Sequence, residues 1–73
     1  MQGAMPISMA TVGTAYTIKK ISGHTADRSQ LKSMGFNEGT EVKLITQLDG
    51  DVIIHVKESR VAINKDQARH ILV

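Results

Sequence analysis

The chain has 73 residues, a formal net charge of +2 and 41% hydrophobic residues, and Tyr16 and Phe36 are its only aromatic residues. A chain of this size forms one domain with a small aliphatic core, which disfavours a large enclosed active site. It contains no cysteine, which excludes disulfides, thiolate metal sites and a cysteine nucleophile.

The amino-terminal residues show no pattern of a targeting or membrane segment. No cationic stretch precedes an apolar run, and no run approaches the roughly 20 apolar residues of a membrane span. We therefore expect a soluble cytoplasmic protein without direct membrane insertion. Residues 1–4 are interpreted as an N-terminal arm and residues 5–73 as one domain.

The first predicted elements are extended. Residues 5–9 are expected to form a short edge piece, because Pro6 argues against a helix through them. Residues 12–14 form a turn around Gly13. Residues 15–22 are rich in Tyr, Thr and Ile, which predicts a single strand with an irregular end.

A short helix is predicted from about residue 26 to residue 34. Thr25 or Asp27 would cap its amino terminus by accepting hydrogen bonds from free backbone amides. Leu31 and Met34 are three residues apart and share a helix face, which we expect to enter the core. Gly35 follows at the position of a left-handed cap.

The residues after this helix allow two interpretations. Phe36 either closes the core or presents an aromatic anchor to a partner at the loop tip. Asn37, Glu38 and Gly39 are typical of a tight turn with glycine at the position of positive φ.

The remaining chain predicts strands joined by short turns. A strand over residues 40–48, with Val42, Leu44 and Thr46 on one face, leads through Asp49-Gly50 to a strand over residues 51–57. The apolar run at the centre of this second strand predicts burial on both faces.

A further turn at residues 58–59 precedes a strand over residues 60–64. A helical turn near residues 65–69 and a last strand over residues 70–73 complete the chain. Five or six short strands with one inserted helix predict a mainly β fold, a small SH3-like barrel.

The titratable side chains form no catalytic or metal-binding motif. His24, His55 and His70 lack a second histidine or a cysteine at ligand spacing, and His24 is interpreted as a solvated residue beside a helix-capping aspartate. His55 and His70 are expected to face outward on strands. We expect no catalytic residue, no cofactor and no specific metal site, and only weak surface binding of divalent metal.

The basic residues of the first half leave two interpretations open. Lys19, Lys20, Arg28 and Lys32 form either a solvated surface or a basic side that meets an acidic patch of a partner. A basic stripe and aromatic residues among the cations are typical of nucleic-acid binding, and both features are weak in this chain.

A resemblance becomes visible in the order and spacing of motifs along residues 5–73. They are Met5-Pro6-Ile7-Ser8-Met9, Gly13, Tyr16-Thr17-Ile18-Lys19-Lys20-Ile21-Ser22-Gly23, Arg28, Leu31, Met34-Gly35-Phe36, Glu38-Gly39, Val42, Arg60-Val61-Ala62-Ile63 and Ala68-Arg69-His70-Ile71-Leu72-Val73. This series resembles the FeoA domain of ferrous iron transport.

The resemblance implies a non-enzymatic, cytoplasmic accessory or regulatory protein of ferrous iron uptake. Its relatives act with FeoB, a membrane permease with a GTP-binding domain, and the implied activity is docking on that domain. The same barrel resembles the C-terminal domain of iron-dependent repressors, which leaves a metal-responsive regulatory module as the alternative. A small nucleic-acid-binding barrel is the second alternative.

The candidate partner-binding residues are Arg28, Lys32, Phe36, Asn37 and Glu38, on the predicted helix and the loop after it. The sequence does not decide the oligomeric state.

Overall fold

The computed structural model describes residues 4–73 and confirms the mainly β architecture with one inserted helix. In chain order the elements are a 3₁₀ helix at Ile7–Met9, β1 at Ala15–Thr17, β2 at Lys20–Ile21, α1 at Thr25–Ser33, β3 at Glu41–Leu48, β4 at Asp51–Val56, β5 at Ser59–Asn64, α2 at Lys65–Ala68 and β6 at Ile71–Leu72. The strands form a four-stranded sheet in the order β1-β3-β4-β5 and a two-stranded sheet of β2 and β6.

The chain changes sheets between β1 and β2. The Ile18 amide still donates to the Thr40 carbonyl at 2.9 Å, but the next amide, that of Lys19, donates to the Leu72 carbonyl at 2.7 Å. The prediction of one strand over residues 15–22 is therefore wrong. The crossing also explains why Ile18 and Ile21 are both buried although an unbroken strand would place them on opposite faces.

The amino-terminal segment is only partly the extended piece that was predicted. Met5 and Val73 exchange both backbone hydrogen bonds, and Pro6 bridges to Leu72. From Ile7 the chain turns into the 3₁₀ helix, which buries the Ile7 side chain completely. Of the predicted arm, residues 1–3 lie outside the described residues, and Ala4 is exposed.

A single aliphatic core, with Phe36 as its one aromatic member, fills the space between the sheets and α1. Its buried side chains are Ile7, Ala10, Ile18, Ile21, Leu31, Phe36, Val42, Leu44, Val52, Ile54, Val56, Ile63, Ala68, Ile71 and Val73. Within residues 4–73 no polar or charged residue is buried.

The β3–β4 hairpin contains the predicted two-residue turn, because Leu48 pairs directly with Asp51. A β-bulge between Leu44 and Thr46 then shifts the register by one residue. Thr46 pairs with Ile53 rather than following Leu44 into the core, so the prediction that Thr46 shares a face with Leu44 is wrong.

β4 is buried on one face. Val52, Ile54 and Val56 are buried, whereas Ile53 and His55 are half-buried, which corrects the prediction of two-sided burial. This alternation is typical of an antiparallel sheet with one face on the core and one face towards solvent.

The turn after β4 consists of Lys57 and Glu58, one residue earlier than predicted, because Ser59 already pairs with Val56. Asn64 and Gln67 form a capping box that begins α2, which confirms the helical turn predicted near residues 65–69.

Candidate partner-binding surface

Arg28 and Lys32 lie one turn apart on α1, and both residues are exposed. Residues four apart on a helix share a face, with Cβ atoms about 5–6 Å apart. Within residues 4–73 the one ion pair joins Arg69 to Asp66, so no carboxylate of this region lies within 4.0 Å of either cation. The helix therefore presents two adjacent positive charges to solvent.

The amino terminus of α1 differs from the prediction. The helix begins at Thr25, His24 occupies the cap position, and no side-chain hydrogen bond caps the helix. Thr25 is already helical and cannot act as the cap. Asp27 lies in the first turn, where its charge still interacts favourably with the positive end of the helix dipole.

The carboxyl terminus of α1 follows the prediction closely. Gly35 has a φ of 102°, its amide donates to the Lys32 carbonyl at 3.0 Å, and the Phe36 amide donates to the Leu31 carbonyl at 3.0 Å. These two bonds form a Schellman motif, which satisfies carbonyl groups that the helix end leaves free.

Phe36 is fully buried, and it is the largest of the fully buried side chains. Leu31 belongs to the same buried cluster, as expected for the apolar contact that accompanies a Schellman motif. Of the two interpretations of Phe36, the structure supports core closure, and its assignment as a partner-contacting residue is corrected. Phe36 fixes the direction of the loop instead.

Asn37 and Glu38 form the turn that leaves α1. The Thr40 amide donates to the Asn37 carbonyl at 3.0 Å, and the Gly39 amide donates to the Ile18 carbonyl at 2.8 Å, so the turn is fixed to the barrel. Asn37 is half-buried and Glu38 is exposed. Together, the two exposed cations of α1 and this turn form the helix surface, which consists of Arg28, Lys32, Asn37 and Glu38.

His70 does not face solvent freely, in contrast to the prediction. The Ser22 amide donates to the His70 carbonyl at 2.8 Å, and Ser22 Oγ lies 3.2 Å from His70 Nδ1. This contact requires residues 48 positions apart, so no local pattern could have indicated it. His24 is exposed at the start of α1, as interpreted from the sequence.

A row of basic residues on the outer face of the four-stranded sheet was missed by the sequence reasoning. Lys43 pairs with His55, and His55 pairs with Arg60, so three neighbouring strands place these side chains side by side. We call these three residues the basic row. A groove of about 310 Å³ adjoins it, lined by Ala15, Thr40, Glu41, Val42, Lys43, His55 and Lys57.

A second, more polar crevice lies between α1 and α2. It measures about 290 Å³ and is lined by Asp27, Gln30, Asn64, Asp66, Gln67 and His70. Arg69 donates a hydrogen bond to Asp66 at 2.6 Å, and this bond and the charge of Arg69 hold the pKa of Asp66 below its ordinary value. Both side chains are exposed, so the pair contributes little to stability.

Residues 4–73 contain no group of three or more histidine, aspartate or glutamate side chains placed to hold a metal ion. Over the same residues, no helix has the length and apolar character needed to cross a membrane.

Comparison with known proteins places this geometry in a family. Residues 5–73 match the family described as the FeoA domain. A protein of Methanocaldococcus jannaschii named "Putative Fe(2+) transport protein A" is 37% identical over 68 residues, which cover 93% of this chain and 83% of that protein.

Solved structures show the same fold. The crystal structure of an iron uptake regulatory protein (FeoA) superposes with a TM-score of 0.86 and 29% identity, covering 99% of this chain and 96% of the other. A manganese-dependent transcriptional repressor superposes with a TM-score of 0.89 over all of this chain and 41% of its own, at 16% identity, and therefore shares the fold alone. The predicted SH3-like barrel is confirmed, and the chain belongs to the FeoA domain family.

Proposed function

We propose that this protein is a non-enzymatic, cytoplasmic accessory protein of ferrous iron uptake. It docks through the helix surface on the GTP-binding domain of a membrane ferrous-iron permease. The observation that carries the proposal is membership of the FeoA domain family, together with 37% identity to a protein named for Fe(2+) transport.

The geometry of α1 supports the choice of surface. The Schellman motif and the buried Leu31 and Phe36 hold the carboxyl-terminal half of the helix on the core. Lys32 is thus presented from an anchored part of the helix, with Arg28 one turn before it, which lowers the entropy lost when a partner binds. Two exposed cations of this kind accelerate association with an acidic patch and select against a basic one.

The mechanism that follows is a shift of the permease between conformations. A bound protein changes the equilibrium of its partner only by the difference between its affinities for the two states. We therefore expect the affinity for the GTP-binding domain to depend on the bound nucleotide.

A titration of the purified protein into the soluble GTP-binding domain of the permease encoded with it, followed by calorimetry, tests the proposal. We expect saturable binding, and a loss of about tenfold or more in affinity when Arg28→Glu and Lys32→Glu are combined. Absence of binding at about 100 μM would contradict docking on this domain.

The likeness to the repressor favours one alternative, a metal-responsive regulatory module. Calorimetric titration with Fe(II), Mn(II) and Zn(II) separates this alternative from docking. Stoichiometric binding of one of these metals supports the alternative, and its absence for all three excludes it.

A further inference from the structure

Over residues 4–73 the edge of β5 is open. There β5 is the outer strand of the four-stranded sheet and pairs with β4 on one side only. It has six residues, whereas β1 at the opposite edge has three. An edge of this length carries backbone donors and acceptors that can pair with another chain.

Asn64 shows which backbone groups face this edge. Its amide donates to Gln67 Oε1 at 3.1 Å rather than to β4. Backbone groups alternate between the two sides of an antiparallel strand, so the N–H and C=O groups of Arg60 and Ala62 also point away from β4. In the described part of the chain, no backbone hydrogen bond beyond the regular elements involves Arg60 or Ala62.

The strand lacks two of the features that usually protect an edge. It contains no proline, and its register with β4 has no bulge. Arg60 is its one charged residue and points away from the core. Ala62 presents only a methyl group, and Val61 is half-buried against the core. The side chains of β5 itself would therefore place no bulky or buried charged group in the way of an added strand.

The basic row indicates which kind of segment would bind at the edge of β5. A strand beside β5 would place one side chain directly next to Arg60, with Cβ atoms about 4.5–5.5 Å apart. Within residues 4–73 no carboxylate lies within 4.0 Å of Arg60. Arg60 would attract a carboxylate at this position and repel a further cation. The next residue of the added strand would cover the exposed part of Val61.

We propose that the open edge of β5 binds an extended, acidic segment of a partner protein as an added strand. The backbone groups of Arg60 and Ala62 supply its main-chain hydrogen bonds, and a carboxylate of the segment lies beside Arg60. A second copy of this chain fits less well. Two paired β5 strands would bring both basic rows onto one face of a continuous sheet. The inference does not depend on the proposed docking through α1.

The probe is an octapeptide of alternating glutamate and valine with blocked ends. It is titrated into the ¹⁵N-labelled protein to about 1 mM and followed by NMR. We expect saturable shifts that are largest for the Arg60 and Ala62 amides, with slower hydrogen exchange at both. A lysine-valine octapeptide should bind about tenfold more weakly or less.

Two pairs of variants separate backbone pairing from charge. Ala62→Pro removes an outward N–H group without removing a hydrogen bond to β4, and Ala62→Thr keeps this group at the same position. We expect Ala62→Pro to weaken binding about tenfold and Ala62→Thr to change it by less than about threefold. Arg60→Glu should abolish the preference for the glutamate peptide, and Lys20→Glu, an equal charge change in the other sheet, should preserve it.

A peptide methylated at every backbone nitrogen provides a test with the unmodified protein. It keeps the side chains but cannot donate hydrogen bonds, so we expect no binding. Three results would overturn the proposal. They are unchanged Arg60 and Ala62 amides at about 1 mM peptide, equal affinities of the two Ala62 variants, and concentration-dependent shifts of these amides without peptide, which would identify a second copy as the occupant.

Discussion

The two basic residues of the helix surface and the three residues of the basic row are both clusters of basic side chains, but the chain builds them in different ways. Arg28 and Lys32 become neighbours through the spacing of one helix. Lys43, His55 and Arg60 come from three strands and become neighbours only through sheet register. The first surface depends on the geometry of one helix, whereas the second depends on the pairing of β3, β4 and β5.

The helix surface depends on the core through Phe36, which provides the largest predicted effect. Phe36→Ala should lower the free energy of unfolding by about 3–5 kcal/mol, because it leaves a cavity at a fully buried site. Urea unfolding measures this change. Leu48→Ala is the control, because Leu48 is 61% exposed, and it should change stability by less than about 0.5 kcal/mol. If Phe36→Ala lowered the free energy of unfolding by less than about 1 kcal/mol and also abolished partner binding, Phe36 would be a partner-contacting residue instead.

Gly23, just before α1, lies close to the side chain of His70, and the basic row does not depend on this contact. A Cβ atom at Gly23 would lie 3.0 Å from His70 Nδ1, whereas a Cβ atom at Gly13 would meet nothing within 4 Å. Both glycines have positive φ, so alanine costs about 1–2 kcal/mol of backbone strain at either position.

We expect Gly23→Ala to be more destabilising than Gly13→Ala by about 1 kcal/mol, because of the contact with His70. Unfolding in urea measures both variants. The amide shifts of Lys43, His55 and Arg60 should be unchanged in Gly23→Ala. Equal stabilities of the two variants would show that His70 moves aside without cost.

The smallest predicted effect is the pH dependence contributed by Asp66. Arg69 lowers the pKa of Asp66 in the folded protein below its ordinary value of 3.8. The resulting stabilisation is present above that ordinary value and is lost as the pH falls through the lower folded pKa. Asp66→Asn should therefore be slightly less stable than the parent protein above that ordinary pKa and equally stable at the acid end, so its acid limb should be slightly flatter. Unfolding of both proteins between about pH 5 and pH 2 measures this difference, and identical acid limbs would contradict it.

The elements that sequence reasoning predicted correctly depend on residues close together in the chain. Gly35 and Phe36 indicated the end of α1, and the Asp49-Gly50 turn indicated the β3–β4 hairpin. In each case the local conformation decides the structure, because few residue types tolerate a positive φ or close a two-residue hairpin.

The missed features depend on an irregular strand register or on partners far along the chain. Counting back from the Leu48–Asp51 pair without a bulge would place Lys43 opposite Val56, whereas the irregularity after Leu44 brings it opposite His55. The alternation of apolar and polar residues along the strands therefore could not predict the basic row. The contact between Ser22 and His70 and the change of sheets after Thr17 likewise depend on the position of β6.

The most direct test of docking through α1 compares two double charge reversals. One combines Arg28→Glu with Lys32→Glu, and the other combines Lys43→Glu with Arg60→Glu, so both change the net charge equally. Their affinities for the GTP-binding domain of the permease are measured by calorimetry. We predict that the helix variant loses about tenfold or more and the sheet variant less than about threefold. Equal losses, or a larger loss in the sheet variant, would contradict docking through the helix surface.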